Sequence, residues 1–77
     1  MARRGDRPVA AWMAGRKRAT AARSAAAGAR LTIKELPSGR YAACKVEKNG
    51  MKSCGLVPEQ ATIGELRKLF MRAIRRS

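Results

Sequence analysis

The stretch CKVEKNGMKSC, residues 44–54, sets the only two cysteines of the chain around an Asn49-Gly50 step. Asn-Gly between alternating residues is a strong hairpin signal, because both residues tolerate the positive φ that a tight turn demands. With a two-residue loop, Cys44 would face Gly55, and the face of Cys44 and Val46 would continue as Ser53 and Gly55. A three-residue loop, Lys48-Asn49-Gly50 with Gly50 left-handed, instead sets Glu47 against Met51 and Cys44 against Cys54. Ala42, Cys44 and Val46 then share a face with Cys54 and Leu56. The apolar alternation selects this second register.

The same grammar of short alternating runs and turn residues begins at Leu31. LTIKEL, PSGR, YAACKVE, KNG and MKSCGLV read as strand, turn, strand, turn and strand. Pairing Leu36 with Tyr41 across PSGR would put Ile33 opposite Cys44 and Leu31 opposite Val46. After Pro58, Thr62-Ile63-Gly64-Glu65 has the spacing of a capping box, in which Thr and Glu side chains satisfy free N–H groups at a helix start. Ile63, Leu66, Leu69, Phe70, Ala73 and Ile74 follow at the spacing of one buried helical face. The predicted fold is α+β: a three-stranded antiparallel meander packed on one C-terminal helix, residues 31–77. Its core would join Leu31, Ile33, Ala42, Cys44, Val46, Cys54 and Leu56 to the helix stripe. The other sheet face would display Thr32, Lys34, Tyr41, Ala43, Lys45, Met51 and Ser53, with Arg40, Lys48 and Lys52 near turns and edges.

Residues 1–30 read differently. They hold eight Arg or Lys against the single Asp6, a balance of +7, and many alanines but few large apolar side chains. Asp6 could cap a helix starting near Pro8. The helical period, however, puts Arg16 and Arg23 beside Trp12 and Ala19, so no apolar stripe forms. The expectation is a basic N-terminal arm, partly helical or disordered, that orders on a partner neutralising its arginines.

Charge points to that partner. Eighteen Lys and Arg stand against five Asp and Glu, a net +13. Such an imbalance favours a polyanion, nucleic acid before an anionic membrane. No apolar run approaches the roughly 18 residues of a membrane span, and no secretory signal follows the first arginines. A cytoplasmic protein is expected, with reduced and buried Cys44 and Cys54. Two cysteines without any histidine do not complete a zinc site. With no histidine for acid–base work and no phosphate-binding Gly-rich loop, neither an enzyme nor a cofactor is expected. Only Trp12, Tyr41 and Phe70 are aromatic, and Phe70 belongs to the core stripe, which argues against a stacking-type RNA module.

The run LPSGRYAACKVEKNGMKSCGLVPEQATIGELRKLF resembles the arm-type DNA-binding domains at the N-termini of phage tyrosine integrases. The similarity lies in SGRY entering the second strand, Gly50 at the next turn, and the Thr62-x-x-Glu65 helix start. It implies a three-strand-plus-helix form that lays its sheet in the major groove, giving contact roles to Arg40, Tyr41, Lys45 and Lys52. A stable helix in the arm would instead give the element order of double-stranded RNA-binding domains.

The expected function is nucleic-acid binding, DNA ahead of RNA, with the arm on phosphates and the sheet face in a groove. Candidate contacts are Arg3, Arg4, Arg7, Arg16, Lys17, Arg18 and Arg23 from the arm. Lys34, Arg40, Tyr41, Lys45, Lys48 and Lys52 come from the sheet, and Arg72, Arg75 and Arg76 from the helix. One alternative is a phage or mobile-element inhibitor of a host protein machine, such as an anti-CRISPR or polymerase inhibitor. Another is a ribosome-associated basic protein.

Overall fold

The computed structural model describes residues 6–76, so Arg3 and Arg4 lie outside the described residues. The elements run α1 (Val9–Trp12), β1 (Arg18–Ser24), β2 (Ala29–Glu35), β3 (Tyr41–Val46), β4 (Lys52–Leu56) and α2 (Ile63–Arg76). The sheet is an antiparallel meander of four strands in the order β1-β2-β3-β4. The expected α+β class and C-terminal helix are present, but the strand count of three is corrected to four. The added strand comes from the stretch expected as an arm, and residues 29 and 30 belong to β2.

The N-terminal segment is held by long-range backbone bonds. Pro8 forms an isolated bridge with Thr62. The Ile63 N–H donates to the Arg7 carbonyl (3.0 Å), and the Val9 N–H donates to the Ala61 carbonyl (3.3 Å). These bonds seat the single turn of α1 so that Val9 and Met13 enter the core, which also takes Leu31, Ile33, Val57, Ile63, Leu66 and Phe70. The missing apolar stripe is no obstacle, because one turn needs only two inward side chains.

β1 carries a bulge, a register shift between Thr20 and Ala22. A bulge frees a backbone group from the ladder, and here the Arg67 Nε of α2 donates to the Ala21 carbonyl (2.8 Å). Helix α2 lies chiefly over β1 and β2. Its start is capped as expected on one side only: the Thr62 hydroxyl accepts the Glu65 N–H, while the Glu65 carboxylate accepts from that hydroxyl rather than from a backbone N–H, both at 3.3 Å. Ile63, Leu66 and Phe70 are buried. Leu69, expected in the same stripe, is 59% exposed, because the helix covers the first two strands and leaves the side toward β4 open.

The β3–β4 hairpin has the register predicted from its turn. Gly50 has φ +88°, the Glu47 N–H donates to Met51 (2.9 Å), and Cys44 stands opposite Cys54. The β2–β3 hairpin is shifted by one residue from expectation. Its loop is also of three residues, Pro37-Ser38-Gly39, with Gly39 at φ +86° and the Leu36 N–H donating to the Arg40 carbonyl (2.7 Å). Glu35 therefore pairs with Tyr41, Ile33 with Ala43 and Leu31 with Lys45.

A one-residue shift reverses faces. Leu31 and Ile33 still point to the helix, now with Tyr41 and Ala43 packed beside the core. Ala42, Cys44, Val46, Cys54 and Leu56 move to the opposite, open face, correcting their expected place under the helix. Tyr41, Ala43, Lys45 and Ser53 make the reverse correction.

The expected free thiols are also corrected: Cys44 and Cys54 form a disulfide, with Cα atoms 4.1 Å apart. The hydrogen bonds of Glu47 with Met51 and of Val57 with Tyr41 make this a non-hydrogen-bonded pair, where facing Cα atoms come closest. Closing a loop this short stabilises a fold by about 2–3 kcal/mol in the chain-entropy picture. Replacing both cysteines (Cys44→Ala with Cys54→Ala) should lower the unfolding free energy in urea by about that amount.

Candidate functional site

The register aligns the open face into three rows. Arg18, Lys34, Ala42 and Leu56 form one, Thr20, Thr32, Cys44 and Cys54 the next, and Arg23, Arg30, Val46 and Lys52 the third. The β1 bulge makes this possible. Strict alternation would put Arg18 and Arg23 on opposite faces, and the extra residue at Ala21 returns both to the same one. The middle row is neutral and small, and the outer rows carry five cations.

None of the residues in these rows is acidic. Glu35 lies opposite Tyr41 on the helix side, and Glu47 pairs with Lys45 (3.5 Å) away from this face. None of the five cations makes an ion pair among the described residues. Two like-charge pairs stand directly opposite each other, Arg18 with Lys34 and Arg23 with Arg30. Such pairs destabilise a sheet. An anion lying between the side chains would remove that cost.

Between the rows lies a shallow depression of about 400 Å³ lined by Arg18, Thr20, Arg30, Thr32, Lys34, Cys44, Val46 and Lys52. The outer rows are four residues apart along β2, which is about 13 Å at ~3.3 Å per residue. That is the scale of a nucleic-acid groove, about 12 Å for the major groove of B-DNA. The described aromatic side chains are elsewhere. Tyr41 and Trp12 pack against the core, Phe70 is within it, and the Trp12 ring carries the Arg16 guanidinium 5.8 Å from its centroid.

The structure gathers Arg18, Arg23, Lys34 and Lys52 of the expected contacts and separates the others. Lys45 is bound to Glu47, and the Arg40 guanidinium donates to the Val57 carbonyl (3.3 Å). Of the four contacts implied by the integrase resemblance, only Lys52 is on the open face. Arg7, Arg16 and Lys17 precede β1, Lys48 sits in the β3–β4 turn, and Arg72, Arg75 and Arg76 lie on α2. Arg30 and Thr20 were not expected on this face, and Thr32 was expected there but not as a contact. Their signal is the alternation Arg30-x-Thr32-x-Lys34, hidden when Arg30 is assigned to an arm.

Among the described residues, no helix is long and apolar enough to cross a membrane. No cluster of His, Cys, Asp and Glu there could hold a metal. Comparison with family models, curated proteins and solved structures finds no match.

Proposed function

We propose that this protein binds nucleic acid on the open face of its sheet, DNA ahead of RNA. The observation that carries the reading is the pair of unneutralised like-charge contacts, Arg18 with Lys34 and Arg23 with Arg30, on a face without a carboxylate. Phosphate oxygens accept from these groups, Arg in a bidentate fork and Lys as a point charge. Two cationic rows across a small, neutral floor suit the paired backbones of a duplex. The absence of aromatic side chains from the rows disfavours single strands, whose binding relies on base stacking. Contacts of this kind position a protein on nucleic acid without reading its sequence.

Binding should weaken steeply with salt, with log K falling by about 0.9 per phosphate contact for each unit of log salt. An anisotropy titration of a labelled DNA duplex between 50 and 200 mM salt, on the order of the range where such effects are large, measures the slope. A flat response would exclude phosphate-led binding. Cytoplasmic placement belongs to this proposal, and it sets the Cys44–Cys54 bond in a reducing compartment, where disulfides are usually transient or redox-sensing.

A second reading, an inhibitor seated on a host protein machine, draws on an apolar groove between α2 and β4. Leu69 stands 59% exposed there. One stoichiometric protein partner retained at high salt after nuclease treatment would favour it.

A further inference from the structure

Among the strands of the described residues, β4 alone has no buried residue. It is a sheet edge, and α2 lies chiefly over the two strands farthest from it. Its sequence, Lys-Ser-Cys-Gly-Leu, has no β-branched or aromatic residue to favour a strand. Backbone bonds to β3 hold it, together with one side-chain tie, the Cys44–Cys54 bond. That bond is part of the middle row of the basic face. Its Cys54 end is exposed, whereas Cys44 is 2% exposed.

We infer that the Cys44–Cys54 disulfide is a redox gate on the basic face, and that its reduction releases β4 from the sheet. The functional half of this inference rests on the nucleic-acid reading; the structural half does not. A dithiol attacks at the exposed Cys54 sulfur, and a mixed disulfide forms as Cys44 leaves as thiolate. The second thiol of the reductant then displaces Cys54. Overall, two electrons and two protons pass to the cysteines, and the reductant becomes its own disulfide.

Two changes follow at the face. β4 carries Lys52, whose place in the outer row is lost when the strand frays. The neutral disulfide also leaves Cys44 in the floor as a thiol among cations, where a thiol is more readily ionised, and negative charge there repels phosphate. β1, β2 and the helix retain the core, since neither cysteine belongs to that cluster.

The test compares the oxidised full chain, the dithiothreitol-reduced chain and the double variant Cys44→Ser with Cys54→Ser. Amide hydrogen exchange should show protection lost at Ser53 and Gly55 in both open forms and kept at Leu31 and Ile33. On a labelled DNA duplex, opening the bond should lower the salt slope by about one and weaken binding about fivefold near 0.15 M salt, the worth of one phosphate contact. The reduced chain should bind more weakly than the serine variant as pH rises through the thiol range, the mark of thiolate charge. Unchanged β4 protection in the open forms would overturn the gate, as would protection lost across all strands. If the oxidised chain itself does not bind duplex, the nucleic-acid reading fails, and the exchange pattern still decides whether β4 is released.

Discussion

Met13→Ala is expected to cost about 2–5 kcal/mol of stability, the range for truncating a buried methionine to alanine. Met13 is fully buried, at 0% exposure, and it comes from a stretch with the composition of a solvated tail. The loss should appear in urea unfolding as a lower midpoint at unchanged slope, the signature of a stability change without a change in the surface exposed. Substitutions in a mobile arm stay within about 0.5 kcal/mol. An effect that small would show that the segment before β1 is not part of the core.

The parts of the fold readable from sequence are those specified locally. Gly50 demands positive φ, and the apolar alternation around it leaves one register for β3 and β4. Thr62 and Glu65 mark the start of α2 with side chains three residues apart. The N-terminal segment has no such mark, because its place depends on backbone bonds between Arg7 and Ile63 and between Val9 and Ala61. Contacts across more than fifty positions leave no periodic trace in the chain. The β2–β3 hairpin was open to the logic applied to β3–β4, since Pro37-Ser38-Gly39 ends in glycine as Lys48-Asn49-Gly50 does. Preferring to bury the cysteine face led to the wrong register, because a cross-strand disulfide does not need the helix side.

The candidate site was legible as a charge imbalance but not as a surface. Arg18 and Arg23 are five positions apart and share a face only through the bulge at Ala21, which Arg67 supports from α2. Arg40, Tyr41 and Lys45 were expected as contacts from the resemblance. The one-residue shift turns Tyr41 and Lys45 toward the helix, and Arg40 is engaged with Val57. What replaces them is a set of rows drawn from all four strands, with Arg30 and the two threonines among them.

Neutralising the open face should have the second large effect. The variant Arg18→Ala, Arg30→Ala, Lys34→Ala, Lys52→Ala removes cations that line one depression and make no ion pair among the described residues. Relief of like-charge repulsion should leave it at least as stable as the native protein. Four lost phosphate contacts lower the salt slope by about 3.6, so the native chain should lose about two decades more affinity than the variant over a fourfold rise in salt. A variant that binds as tightly as the native protein would place the contacts elsewhere.

The helix provides the control, because Lys68, Arg72 and Arg75 are also cationic and exposed but lie on α2. The decisive measurement is the salt dependence of duplex DNA binding for three proteins side by side: the native chain, the open-face variant, and Lys68→Ala, Arg72→Ala, Arg75→Ala. Binding on the open face predicts a slope reduced by about 3.6 in the second protein and by less than about one in the third. Reductions in proportion to the charges removed, four against three, would mean that net charge alone draws the duplex, and a larger reduction in the helix variant would contradict the assignment of the sheet as the binding face.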